Sequence, residues 1–269
     1  MLRVACIQPE VLSNRAKCYL EIERLIKDLM RDFDYCDIIC LPERWVPFTN
    51  DFSENLQEER GKDYKFIKML AKEYTINIIS GGIWEKRKNS TKPRITSYFF
   101  NHYGDEMGRQ DKIHLYSYEQ NNFEPAKELR IFKLKDYFFS ILICFDMAFF
   151  ETPRLAVDNG ADILFSPTQI REEGMENWDI YLKARALENR IPVVGCNTLA
   201  NFFKRKFIGQ SKIISFIEGY VSPSKLKLVE APIESSGFAY DEINLKFPQK
   251  IRKLRFKEII REQLIVKKE

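Results

Sequence analysis

The sequence predicts an α/β layered sandwich, two mixed β-sheets with helices on their outer faces. Three observations predict it. Strand-like and helix-like apolar periods alternate from Leu2 to Ser80. From Ile95 onward, β-rich runs pair around turn chemistry, the mark of hairpins. After Cys144, strands and helices alternate again before three closing strands.

Leu2 to Gln8 alternates and is the first strand. A helix follows, capped by Ser13 or Asn14, with Cys18, Ile22, Leu25, Ile26 and Leu29 on one face. Cys36 to Leu41 reads as a buried strand stopped by Pro42. Ile67, Leu70, Ala71 and Tyr74 sit at helical spacing, and Asn77 to Ser80 opens another strand. Asn101-His102-Tyr103-Gly104 is a hairpin turn, and a second hairpin is expected at Lys135-Asp136. Tyr137 to Cys144 is a thoroughly apolar strand. Thr152 as cap, Pro153 in the first turn and Gly160 just past the end mark a helix. Ile163 to Phe165 is a strand and Asn177 to Asn189 a helix. Val193 to Cys196, Ile213 to Phe216, Leu226 to Val229 and Phe238 to Ile243 complete the strands. With no internal repeat or linker-like shift in composition, residues 1–269 are expected to form one domain, with a basic C-terminal segment from about 246.

The chain has 269 residues, 45% of them apolar and 13% aromatic, which excludes a disordered protein and leaves ample core. Forty-three basic residues against 39 acidic ones give a net charge of +4 spread over both signs, so no nucleic-acid partner is expected. The one basic concentration, Lys250 to Lys268, is broken by Glu258 and Glu262 and reads as a solvated tail or docking helix. No apolar run approaches about 18 residues, so no membrane span is expected. The start lacks the features of a signal peptide. A cytoplasmic setting with six reduced cysteines follows as the expectation. Cys36 and Cys40 are too isolated for a zinc site, and only His102 and His114 offer imidazole, so neither metal nor organic cofactor is expected. High Lys, Glu and Ile usage with few Gln is of a kind found in thermophiles.

No GxGxxG, phosphate loop or GxSxG elbow occurs, and two histidines leave little room for a Ser-His-Asp or Cys-His device. Cys144 ends an apolar strand and enters a turn, at the sheet edge where ligands bind in α/β proteins. Taken alone, a buried inert thiol is its commoner fate. Glu43 follows a strand in the same way, as does Lys112 after Met107 to Asp111; alone, these would be a turn cap and a surface lysine. Together the three residues supply a base, a cation and a nucleophile, the parts needed for acyl transfer through a thioester.

Three motifs carry a resemblance: Leu41-Pro42-Glu43, Gly108 to Leu115 around Lys112, and Cys144-Phe145-Asp146. In this order and spacing the chain resembles the nitrilase superfamily of carbon–nitrogen hydrolases over about residues 2 to 245. Val4 to Gln8, Arg185-Ala186-Leu187-Glu188-Asn189 and Gly209-Gln210-Ser211 fit the same pattern, whereas Phe150 stands where the family has proline. The resemblance implies an α-β-β-α sandwich, a Glu43, Lys112 and Cys144 triad, and a homodimer or higher homo-oligomer. The helix after Cys144 and the C-terminal region would lie in its interface. It also implies a second glutamate, for which Glu119 is the candidate and Glu124 the rival. An oxyanion would be held by Lys112 and the backbone N–H of Phe145. Thr152-Pro153 would start the following helix slightly later to accommodate Phe150.

The expected substrate is a small-molecule amide, with nitrile or N-carbamoyl hydrolysis as alternatives on the same triad. A catalytically idle ligand-binding or scaffold relative is the alternative of another class. Trp45, Tyr118, Gln169 and Arg171 are the candidate pocket residues, with Arg171 as a possible carboxylate holder. Trp84, Tyr116 and Phe123 are further aromatics of the same region.

Overall fold

The computed structural model describes residues 1–88, 90–259 and 267. Strands Leu2–Gln8, Ile38–Cys40 and Asn77–Ile79 run parallel at the centre of a seven-stranded mixed sheet. Gly237–Ile243 pairs antiparallel along one side of Leu2–Gln8. Arg94–Phe100, Ile83–Glu85 and Glu106–Asp111 extend the other side. A second sheet of six strands runs Leu226–Glu230, Lys212–Phe216, Val193–Asn197, Ile163–Thr168, Tyr137–Ile141, Phe132–Leu134.

Side-chain alternation turns these strands into three apolar layers. Leu2, Val4, Cys6, Ile38 and Cys40 meet Phe139, Ile141, Phe165, Val194 and Cys196 between the sheets. The opposite face of the first sheet, with Ala5, Ile7, Ile39 and Ile78, packs on helices Arg15–Asp32 and Lys62–Glu73. The outer face of the second, with Leu164, Val193 and Ile214, packs on Glu151–Asp158 and Met175–Asn189. The order is helix, sheet, sheet, helix, the α-β-β-α sandwich.

Asn14 caps the first helix through its side-chain oxygen, 3.0 Å from the Lys17 N–H, and the buried face carries the five residues that its period predicts. Elsewhere the elements shift. The helix after Cys144 starts at Glu151 behind Phe150, earlier than a Thr152 cap would allow; Pro153 falls in its first turn, where no backbone N–H is needed. The strand from Tyr137 ends at Ile141, short of Cys144. The basic C-terminal segment begins with a docked helix, Lys246–Lys257, that buries Pro248, Ile251 and Arg252. Arg252 Nη1 donates to the Ala161 carbonyl at 2.7 Å. Residues 260–266, 268 and 269, with Glu262 and Lys268 of that segment, lie outside the described residues. No helix among the described residues is long and apolar enough to cross a membrane.

Candidate active site

Three chain segments leave their strands toward one place. Beyond Ile38–Cys40, the chain passes Pro42, and the Glu43 N–H donates to the Thr168 carbonyl at 3.2 Å, tying the two sheets at this edge. Gly81 makes that path possible: its φ is +70°, and a Cβ there would lie 2.0 Å from the Pro42 carbonyl oxygen. Lys112 follows Glu106–Asp111, its N–H bonded to the Ile95 carbonyl and its own carbonyl accepting from Ala126, both at 2.9 Å. Cys144 opens a short 3-10 turn, Cys144–Ala148, with a φ of 50° that is unusual for a residue with a side chain.

Asp146 holds that turn to the lysine segment. Its fully buried carboxylate accepts from the Ile143 N–H at 2.9 Å and the His114 N–H at 2.6 Å, with Ile113 at 3.2 Å and the His114 ring at 3.1 Å. From the other side, Arg185 donates to the Met147 and Ala148 carbonyls at 3.1 and 2.9 Å.

Lys112 Nζ lies between two buried carboxylates, 2.7 Å from Glu43 Oε1 and 2.8 Å from Glu119 Oε2. Glu119 in turn accepts from the Tyr116 N–H at 2.8 Å. Burial pulls the Lys112 pKa down, but the charges of Glu43, Cys144 and Glu119 outweigh it and hold the ammonium well above the ordinary lysine range. Burial pushes the Cys144 thiol well up, and Glu43 adds to this, while Lys112 and a hydrogen bond from the Gln169 backbone favour the thiolate. Burial also raises Glu119, against the pull of Lys112. This arrangement presents a thiol, two carboxylates and a fixed cation to one cavity.

The model of the carbon–nitrogen hydrolase family matches residues 3–221. This chain belongs to that family. A Schizosaccharomyces pombe protein described as "Probable nitrilase" is 34% identical over 217 residues, 78% of this chain and 79% of its own. The 2-oxoglutaramate amidase of Bacillus subtilis is 27% identical over 215 residues, covering 78% and 82%. The fold matches that of Saccharomyces cerevisiae Nit3, a member of branch 10 of the nitrilase superfamily. The TM-score is 0.81 at 22% identity, over 94% of this chain and 93% of that one. The protein is therefore a hydrolase of carbon–nitrogen bonds other than peptide bonds.

In this carbon–nitrogen hydrolase a cavity of about 520 Å³ opens over Glu43, Lys112, Glu119 and Cys144, with Phe145 on its wall. Tyr118, Gln169 and Arg171 line it, as do Trp84 and Tyr116. Trp45 does not. Its ring is buried on the outer face of the first sheet, 6.1 Å from Tyr19 and 6.3 Å from Phe66, and its indole N–H donates to the Ser80 carbonyl at 2.8 Å. The side chain two residues after Glu43 points away from the cavity, and Trp45 is corrected from pocket residue to core residue. Phe123 packs behind Trp84, at 4.8 Å between centroids. Glu124 sits apart from Lys112, on Arg94 at 3.0 Å. Phe150 is exposed and leaves the turn intact.

Sequence reasoning assigned no role to Asp146 or Arg185, although both stand in quoted motifs. It also missed the hairpin Leu199–Phe202 and Arg205–Ile208, which brings Phe202 and Phe207 to the cavity. The Gly209-Gln210-Ser211 motif has a structural reason. A Cβ on Gly209, at φ +70°, would lie 2.3 Å from Gln8 Nε2, and Gln8 Oε1 accepts from the Ser211 N–H at 2.8 Å.

Proposed function

We propose that the chain, as one domain over residues 1–269, hydrolyses a non-peptide amide of a small molecule through a thioester on Cys144. The observation that carries this reading is the Lys112 ammonium, clamped between Glu43 and Glu119 in the wall of the cavity that Cys144 also lines.

At neutral pH the resting sulfur is a thiol, because burial and Glu43 hold its pKa high. As the amide carbonyl approaches, Glu43 takes the thiol proton and the sulfur bonds to the carbonyl carbon. The carbonyl oxygen gains the electron pair and is held by the Lys112 ammonium and the backbone N–H of Phe145. Glu43 returns the proton to the amide nitrogen, the C–N bond breaks, and ammonia or amine leaves with the acyl group on sulfur. Water then attacks the thioester, giving its proton to Glu43; the carboxylic acid departs and the thiol is restored. Glu119 positions Lys112. No metal or organic cofactor enters these steps, and a cytoplasmic homo-oligomer of at least two copies belongs to the same proposal.

Rapid quenching followed by intact-mass measurement tests it, across ω-amides, aliphatic amides, N-carbamoyl amino acids and nitriles. The expected result is an acyl adduct on Cys144 with ammonia release, both lost in Cys144→Ala. Ammonia release that persists in Cys144→Ala would overturn the reading.

A further inference from the structure

We infer that the amide this cavity takes carries an aryl or arylalkyl acyl group; the inference rests on the thioester chemistry proposed for Cys144. Pockets of the size found here accept ligands well beyond a three- or four-carbon amide. A short aliphatic acyl chain would leave most of the space holding water against apolar walls, and displacing that water with an apolar group is favourable.

The walls are aromatic and organised into two groups. Phe48 lies 5.1 Å from Trp84 at 80° and 5.7 Å from Phe202 at 13°, an edge contact and a stack that bridge the first sheet to the Leu199–Ile208 hairpin. Nearer the chemistry, Tyr116 and Phe145 meet edge to face at 5.2 Å, one from the lysine segment and one beside the nucleophile. All five rings line the cavity. Edge-to-face and offset contacts are the geometries that another aromatic ring can extend.

The first group is braced from behind. The buried Arg44 guanidinium sits 4.6 Å from the Phe48 centroid and 4.7 Å from that of Trp84. It also donates to the Pro47 carbonyl and to Asn55 Oδ1, each at 3.2 Å. Desolvation lowers its pKa to about 10, and cation–π contact is strongest for such a poorly hydrated cation. The wall is therefore formed before substrate arrives, which reduces the ordering that binding must impose.

The competitor is an acyl chain ending in carboxylate. Three cations line the cavity, Lys112, Arg171 and Arg205, and three carboxylates, Glu43, Glu119 and Glu173. Lys112 is committed to two of those carboxylates, and Arg171 Nη1 lies 3.5 Å from Glu173. The lining is neutral in sum, and among the described residues Arg205 is its one cation without a carboxylate partner, so 2-oxoglutaramate is the control that decides between the two acyl groups.

The test compares 3-phenylpropanamide, propanamide and 2-oxoglutaramate by ammonia release. Binding of the same amides to Cys144→Ala is measured by calorimetry. The expected kcat/KM for the phenyl amide exceeds that for propanamide by at least about tenfold, with tighter binding to Cys144→Ala in the same order. Phe202→Ala is expected to collapse that preference, chiefly through KM. If propanamide or 2-oxoglutaramate matches or beats the phenyl amide, the aryl inference is overturned while amide hydrolysis stands. If no amide releases ammonia or acylates Cys144, the thioester reading falls and takes this inference with it.

Discussion

Replacing Lys112 with methionine removes one charge and keeps the stem, and the surroundings of that charge set the size of the effect. A surface lysine changes stability or activity by a few tenths of a kcal/mol. Lys112 is buried, with Nζ 2.7 and 2.8 Å from two buried carboxylates. Loss of an oxyanion donor in such a site lowers turnover by roughly 10²–10³. Stability should fall as well, since breaking a buried ion pair costs about 3–5 kcal/mol. The stability loss depends on pH. Glu119 is already raised by burial and would rise further without Lys112. A carboxylate with a raised folded-state pKa binds its proton more tightly in the folded protein. Its contribution is intact below the unfolded pKa and is lost as pH climbs through the folded one. The deficit of Lys112→Met should therefore be smallest in acid and grow toward neutrality. Lys112→Met/Glu119→Gln removes one stranded carboxylate and should regain part of the stability with no gain in turnover. Ammonia release, urea unfolding at several pH values and the rate of Cys144 alkylation read these effects. Turnover within about threefold of the parent, under roughly 1 kcal/mol, would refute the placement of Lys112 in the site.

Four further outcomes are expected. Because the Cys144 thiol lies well above the ordinary range, its alkylation by iodoacetamide should rise about tenfold per pH unit through neutrality; a flat profile would contradict this. Asp146→Ala should lower stability by at least about 3 kcal/mol in urea unfolding, since the Ile143 and His114 N–H groups lose their buried acceptor. Gly81→Ala should destabilise by more than about 1 kcal/mol and reduce turnover, because a Cβ at φ +70° drives into the Pro42 carbonyl and displaces Glu43. Trp45→Phe loses the bond to Ser80 and should cost about 1 kcal/mol of stability, while turnover stays within twofold; a large activity loss would return Trp45 to the cavity.

The layered architecture was legible because local periods and global packing agree. Cys18, Ile22, Leu25, Ile26 and Leu29 are buried on the first helix as their spacing requires. Strands covered on both faces announce themselves as apolar runs. The mismatches have local causes. Tyr137–Ile141 stops early because the Ile143 N–H is taken by the Asp146 carboxylate and Cys144 enters positive φ. The Leu199–Ile208 hairpin went unseen because its turn residues are Phe203 and Lys204, at φ 54° and 59°, where glycine or asparagine is the usual signal. Trp45 was misplaced because the chain beyond a strand end has no fixed period, so spacing from Glu43 could not say which face it takes. The cavity depends on side chains from Glu43 to Phe207, a juxtaposition that no local pattern encodes.

The same charges explain why this site needs a lysine between two glutamates rather than a lone lysine beside a thiol. A single ammonium next to Cys144 would lower its pKa and leave a standing thiolate, reactive toward any electrophile. Here Glu43 opposes that pull and burial adds to it, so the sulfur keeps its proton. On the proposed pathway the thiol proton moves to Glu43. One anion forms as another is neutralised, and the total charge facing Lys112 does not change. The cavity never has to solvate an added charge in a water-poor space, which would otherwise dominate the barrier. Attack then waits for a carbonyl positioned to receive the sulfur. The three residues must therefore be aligned together, and the buried Asp146 carboxylate, bonded to the segments carrying Lys112 and Cys144, supplies that alignment.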